Sequence, residues 1–438
     1  MGVDILAFPK TSAPDSGVDR RAIRRIGGMD GLRGLAALYV VSFHCWLLTF
    51  PGFPVDSGPF WLGWLMYGRL AVVFFLILSG FSLAVTPASA GWRLGAARRF
   101  FRRRAFRILP PYWVALAFSL VIAATVAPAS HLGPPTHRTV VAYALILQDV
   151  VVAPTPNGAF WSIAVEVELY AAFPLLVLLR RRLGSVALLM LAFLPVVAFG
   201  LSSVNGTPTE GVNRLAPVLA PVLAPVFVAG MVAASAVNGR QRARRIPWHW
   251  LSLLTGAPVA CLIVGRGSVW TANHEFWIDL AVVPSMTFLI VAVSKGRPRV
   301  VRRVLDSGPV RALGGFSYSL YLIHLPIIMV ISRKIARPYA GDGTRAFLIT
   351  YLLGVPLAVI CAWLFSKAFE APFRRNRSWR ELAGARGGTV VVPRAGAGWG
   401  PRPGQPTTTD PRSSHSVPTA VESGGFGIPQ SDGPGQVA

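Results

Sequence analysis

The chain has 438 residues, of which 53% are hydrophobic and only 14% charged, and its mean hydropathy is +0.53. Soluble globular domains carry roughly 25% charged residues, so an ordinary soluble enzyme and a disordered protein are both excluded. The apolar residues come in long blocks, the mark of an all-α polytopic membrane protein. The net charge of +25 would suggest nucleic-acid binding in a soluble protein. Here the arginines sit between apolar blocks, as cytoplasmic loops of membrane proteins require, and no nucleic-acid partner is expected. Cys45, Cys261 and Cys361 all fall within apolar segments and form neither a disulfide framework nor a metal signature; no metal is expected.

Residues 1–28 form a polar N-terminal segment with Arg20, Arg21, Arg24 and Arg25 and no cleavable signal peptide. Ten blocks then follow that are long enough to span a bilayer, which takes about 20 apolar residues. They cover roughly 34–50, 61–86, 109–128, 160–179, 184–202, 214–236, 248–266, 275–294, 313–332 and 346–369. An eleventh, 139–153, is short and holds Gln148 and Asp149, and reads as a re-entrant or interfacial helix. Arginine clusters at 93–107, 180–182, 240–245, 295–303 and 374–380 fall on one side only with this parity. It places both termini in the cytoplasm, with the loop holding Arg333, Lys334, Arg337 and Arg345 as the one exception. In the sixth block LAPV occurs three times, setting Pro217, Pro221 and Pro225 four apart; this is a bent structural helix or a cavity-lining hinge. Residues 376–438, rich in Gly, Pro, Ser and Thr, read as a disordered cytoplasmic tail without room for a second catalytic domain. The transmembrane domain is therefore 29–375.

Ionisable groups inside spans are costly and are candidates for function. Arg33 and His44 are eleven steps apart, three turns plus about 20°, so one helix face carries both, about 16 Å apart along the axis. Arg33 suits phosphate or carboxylate, or is a topology residue paired with Asp30. His44 suits a general base, or an interhelical hydrogen bond. Ser79-Gly80-Phe81 is a small-residue break that fits close helix packing or a pore-lining kink. Arg104 and Arg107, one turn apart, serve topology or clamp a phosphorylated ligand. Glu166 shares a face with Ser162 and Tyr170, less closely with Trp161, whereas Glu168 points about 200° away toward another helix. His324 lies one turn from Tyr321. Glu370 reads as a solvated carboxylate at a helix end or as a site residue. Asp279 is an intramembrane acid that no motif explains.

Together these segments resemble the acyltransferase-3 family of integral-membrane acyltransferases. The resemblance runs through Arg33-x10-His44, FF-x3-SGF ending at Phe81, and RAFRILPPYW with Arg104 and Arg107. It continues through WS-x3-E at Trp161, Ser162 and Glu166, with Tyr170 after it, and ends with YLIHLP at His324 and E-x-P-F at Glu370. It covers about residues 28–375. It implies transfer of an acyl group, commonly acetyl, from acetyl-CoA or another acyl-CoA to a hydroxyl of a glycan, glycolipid or glycosylated small molecule at the inner or plasma membrane. It assigns His44 as base or as acyl carrier, with Glu166 and His324 beside it in the chemistry. Arg33, Arg104 and Arg107, with Ser79, would hold the donor. Trp161, Tyr170, Tyr321 and Glu370 would meet the acceptor. Leu169, where the family often has Phe, and the extra acid Glu168 depart from its pattern. A proton-coupled transporter using the same residues as a relay and a lipid-linked-sugar transferase are the alternatives. Acceptor identity, acyl length and oligomeric state are not legible.

Overall fold

The structure is a computed structural model that describes residues 26–126, 133–202, 219–238 and 246–375. Pro217, the arginines at 20–25 and 240–245, and the 376–438 tail lie outside these residues. The described elements are helices. In chain order they are α1 Met29–Leu47, α2 Arg69–Ser89, α3 Ala97–Thr125, α4 His137–Ala144, α5 Trp161–Ser202, α6 Leu219–Asn238, α7 Trp248–Asn273, α8 Glu275–Ala281, α9 Val283–Ser294, α10 Arg299–Leu305, α11 Gly308–Gly315, α12 Ser317–Ile331, α13 Arg337–Ala340, α14 Thr344–Phe365 and α15 Ala371–Arg375. Short 3-10 turns precede α2 and α5, and π-helical turns follow α12 and α14.

Among the described residues, eight helical segments are long and apolar enough to cross a membrane. The protein is a multi-pass membrane protein, and the eight correspond closely to the expected blocks. One of them, Gly158–Val197, is 40 residues long, about 60 Å of helix and twice the hydrocarbon core. It joins the expected fourth and fifth blocks and breaks at Gly184, whose φ of 89° and ψ of 178° are not helical. α1, with Asp30, Arg33 and His44 in nineteen residues, is not among the eight. The doubtful block at 139–153 contains only the eight-residue α4, followed by turns. Three expected boundaries move. α3 begins twelve residues early, because its arginines are good helix formers, and runs on through Pro110 and Pro111. The expected 313–332 span divides at Phe316 into α11 and α12. The last span passes into a π-helical turn at Ser366–Glu370.

α1 is the axis of the bundle and packs on α2, α11, α12 and α14. Its start is fixed by Gly28, whose φ of 81° only glycine adopts freely. The Gly28 amide donates to Asp306 Oδ1 at 2.7 Å. Arg302 also binds Asp306 and holds that carboxyl below the usual carboxylate range. Gly31 lies against the Leu305 carbonyl, and Gly34 lies between Val310 O and Gly314 N, so α1 meets α11 backbone to backbone. The same device joins α2 to α6: Gly80 abuts the Phe227 carbonyl, and Gly230 abuts Ile77 O and Phe81 N. Lipid offers helices no hydrophobic reason to associate, and small residues allow the close approach that van der Waals packing needs. The small-residue reading of the Ser79-Gly80-Phe81 break therefore holds for Gly80.

A Cβ at Gly230 would sit 2.7 Å from Phe81 N, whereas one at Gly265 meets nothing within 4 Å. Gly230→Val should lower stability by about 1–3 kcal/mol through overpacking, and Gly265→Ala should be neutral or slightly stabilising. Thermal unfolding in detergent checks both, and equal midpoints for the two variants would contradict this account of the α2–α6 crossing.

Candidate active site

α1 is an uninterrupted helix from Arg33 to His44, so the expected shared face and the axial separation of about 16 Å carry over into the fold. Each end of that face meets a different set of partners.

At the Arg33 end, the Arg33 guanidinium bonds Asp30 Oδ1 at 3.4 Å and Ser82 Oγ of α2. Arg107 of α3 and Glu166 of α5 lie within electrostatic range of it. Arg104 stacks its guanidinium 5.7 Å from the Tyr170 ring and 5.8 Å from Phe100. Glu166 Oε1 accepts from Ser79 Oγ at 2.7 Å and also from the Tyr170 hydroxyl, while Ser79 and Tyr170 are 2.8 Å apart. Six of the residues singled out in the sequence thus converge: Arg33, Ser79, Arg104, Arg107, Glu166 and Tyr170. Arg107 is exposed and Arg33, Arg104 and Glu166 half-buried, so the group is open to a ligand. Ser79 faces the Glu166 carboxylate, and Gly80 next to it makes the helix crossing. The helix runs through all three residues without a break.

At the other end, His44 is half-buried and His324 fully buried, with ring centroids 4.9 Å apart. His324 Nδ1 lies 3.0 Å from Leu320 O and 2.9 Å from Tyr321 O. Carbonyl oxygens only accept, so Nδ1 carries the hydrogen and the neutral ring turns a lone pair outward at Nε2. That Nε2 is 3.2 Å from His44 Nδ1, which is also 2.8 Å from Val40 O. His44 Nδ1 therefore donates, and His44 Nε2 is left with the basic lone pair.

Tyr321, Trp161 and Glu370 have other engagements. The Tyr321 hydroxyl is 2.6 Å from Ser162 Oγ and donates to Ala159 O at 3.0 Å, tying α12 to the start of α5; its ring lies 5.8 Å from His324. Trp161 lies under the Arg69 guanidinium at 5.3 Å. Glu370 is not a solvated carboxylate: it is buried and accepts from Ser319 at 2.5 Å and Ser366 at 3.2 Å, with Arg374 at 3.4 Å. It fastens α12 to the turn after α14. Glu168, expected to pair with another helix, instead lies beside Asp149 in the loop after α4.

Two residues were missed. Arg69 bonds Asp279 at 2.6 Å and Glu275 at 3.6 Å, which explains the intramembrane acid. The available signal was two acids four apart, on one helix face, answering one arginine at the start of a span. Ser82, one turn after Ser79, is the other. No group of His, Cys, Asp and Glu able to hold a metal ion occurs among the described residues.

Residues 26–367 match the acyltransferase-3 family, described as an acyltransferase domain. The chain belongs to that family of acyltransferase domains. It is 24% identical over 376 residues to O-acetyltransferase OatA of Staphylococcus aureus, covering 81% of this chain and 58% of that protein. It is 25% identical over 374 residues to acyltransferase MdmB of Streptomyces mycarofaciens, covering 80% of this chain and 92% of that one. It is also 23% identical over 356 residues to the putative peptidoglycan O-acetyltransferase YrhL of Bacillus subtilis, covering 75% and 53%. The chain therefore spans little more than half the length of OatA and YrhL. No solved structure matches it. The transporter reading is not favoured by these comparisons.

Asp279 is 1% exposed, so removing only its partner strands a buried charge. Arg69→Met should cost about 3–5 kcal/mol, and the double variant Arg69→Met/Asp279→Leu should recover most of it. Melting curves of the two variants in one detergent decide this; a double variant no more stable than the single one would refute it.

Proposed function

We propose that the protein moves an acyl group, commonly acetyl, from acyl-CoA to a hydroxyl of a glycan, glycolipid or glycosylated small molecule, with His44 as general base. The observation that carries this is the pairing of Arg33 and His44 on one face of α1, with three arginines at one end and the His44–His324 pair at the other. The name of OatA favours O-acetylation, and that of YrhL, a putative peptidoglycan O-acetyltransferase, favours a glycan acceptor. The arginine pattern of the sequence favours the inner or plasma membrane with cytoplasmic ends.

The residues fit a long anionic donor. Three guanidiniums against the carboxylates of Glu166 and Asp30 leave an excess of positive charge, and arginine forks match phosphate. Arg33, Arg104 and Arg107 would hold the donor phosphates, with Ser79 keeping Glu166 in place beside them. Bound acyl-CoA supplies an activated acyl carbonyl on a thioester. His44 Nε2 takes the proton of the acceptor hydroxyl as that oxygen forms its bond to the acyl carbon. The carbon–sulfur bond breaks, and the His44 imidazolium returns the proton to the leaving sulfur. His324 accepts from His44 Nδ1 throughout, which orients the ring and fixes its tautomer, as the aspartate of a serine-hydrolase triad also does. Tyr321, whose ring lies 5.8 Å from His324, and Trp161 at the start of α5 would meet the acceptor.

Acetyl-CoA titrated onto detergent-purified protein tests the reading. Arg33→Ala should weaken binding about tenfold to a hundredfold, the worth of hydrogen bonds to a charged group. His44→Ala should bind as the wild type does, while transfer falls about 10²–10⁴-fold. Folded wild type that binds no acetyl-CoA would overturn the proposal and restore the proton-relay reading.

A further inference from the structure

Arg180 lies near the end of the first half of α5 and is used by neither the site nor the fold crossings described so far. It is fourteen residues beyond Glu166. At 100° per residue that is four turns less about 40°, so the two lie on the same side of the helix. Their backbones are about 21 Å apart along the axis, but the Arg180 guanidinium reaches Ser235, one turn before Asn238, whose side chain bonds Val85 O one turn after Ser82, and so comes close to the level of the Arg33 end. Its neighbours form a built setting rather than open solvent. The guanidinium carbon is 4.7 Å from the centre of the Trp92 ring, in the segment just after α2, and one terminal nitrogen is 3.5 Å from Ser235 Oγ of α6. Its Nε is shielded from solvent and has no hydrogen-bond partner. The next two residues, Arg181 and Arg182, are exposed, as topology arginines are. Arg180 alone of the three turns inward, close to an aromatic ring, with its Nε unpaired.

The direction of every flanking element agrees. α2 runs from Ser79 and Ser82, beside Glu166 and Arg33, down to Trp92. α5 runs from Glu166 and Tyr170 down to Arg180. Along both, the order is His44 level, arginine group, then Arg180. A coenzyme A thioester has the same order: the thioester, the diphosphate, and last the phosphate on the 3′ carbon of the adenosine ribose.

Resting on the acyl-CoA reading above, we propose that Arg180, held over Trp92 and beside Ser235, is a separate subsite for the phosphate at the nucleotide end of the donor. The arginine group would hold the diphosphate, and Arg180 would read the 3′-phosphate that distinguishes coenzyme A from its dephospho form.

The test is binding of coenzyme A and of dephospho-coenzyme A to detergent-purified wild type, Arg180→Gln, Arg180→Lys and Arg33→Ala. Wild type should bind coenzyme A about tenfold to a hundredfold more tightly than dephospho-coenzyme A. Arg180→Gln should bind both alike, at the wild-type affinity for the dephospho form. Arg180→Lys, the variant closest to native should Arg180→Gln fail to fold, keeps the charge without the fork and should lose part of the discrimination and none of the dephospho affinity. Arg33→Ala should weaken both ligands equally, because both keep the diphosphate. Wild type that binds the two ligands equally, or an Arg180 variant that weakens both by the same factor, would overturn the subsite and leave the acyl-CoA reading standing. No binding of either ligand by folded wild type would overturn both.

Discussion

A polar group inside a bilayer has no water to bind, and leaving it unpaired costs several kcal/mol. This chain sends an arginine, two histidines and several acids into its helices, so neighbouring helices must supply what water would. They do so in specific pairs. Arg33 bonds Ser82, Glu166 bonds Ser79 and Tyr170, Asp279 bonds Arg69, and Glu370 bonds Ser319. Each pair joins residues on different helices or one turn apart, and each is satisfied in only one register of those helices. Arg33 and Glu166, proposed above as site residues, are thus also among those that fix how the bundle assembles.

α1 gains most from this arrangement. Its separation of Arg33 from His44 is set by helix geometry alone and does not depend on a loop. Its rotation and depth are set by Gly31 and Gly34 against the backbone of α11 and by Gly28 against Asp306. Rigid elements position reacting groups more closely than loops do. Helix dimensions thus keep the arginine group and the histidine pair at a fixed distance, as a donor bound at one end and reacting at the other would require.

What was legible in the sequence is what is local. Hydropathy located the spans, and a period of 3.6 placed Arg33 and His44 on one face. The same period separated Glu166 from Glu168, which go to Ser79 and to Asp149 respectively. The motifs Arg33-x10-His44, Arg104/Arg107 and Trp161-Ser162-x3-Glu166 named most of the residues that meet. What was not legible is long-range. Arg69 and Asp279 are 210 residues apart, and Ser319 and Glu370 are 51 apart; no periodicity relates such pairs. Glu370 looked solvated because its own neighbourhood is a helix end rich in charge, and only the approach of α12 buries it. The break at Gly184 was legible because Arg180–Arg182 part the two blocks, whereas the break at Phe316 was not, because hydropathy does not register a change of backbone angle.

The two acids among the arginines complete the logic of the site. Three guanidiniums brought together in a medium of low dielectric repel strongly, and without a counter-charge they would move apart or attract adventitious anions. Glu166 offsets one of them, and it is kept from collapsing into a closed ion pair because Oε1 is already taken by Ser79 and Tyr170. Asp30 offsets another at 3.4 Å, longer than a strong charge-assisted bond. Three positive groups against two negative ones leave about one unit of positive charge, at a mouth where Arg107 is exposed. The group is thus stable enough to assemble without a ligand and still favours an anion over water. That balance suits the phosphorylated donor proposed above better than it suits a structural salt-bridge network.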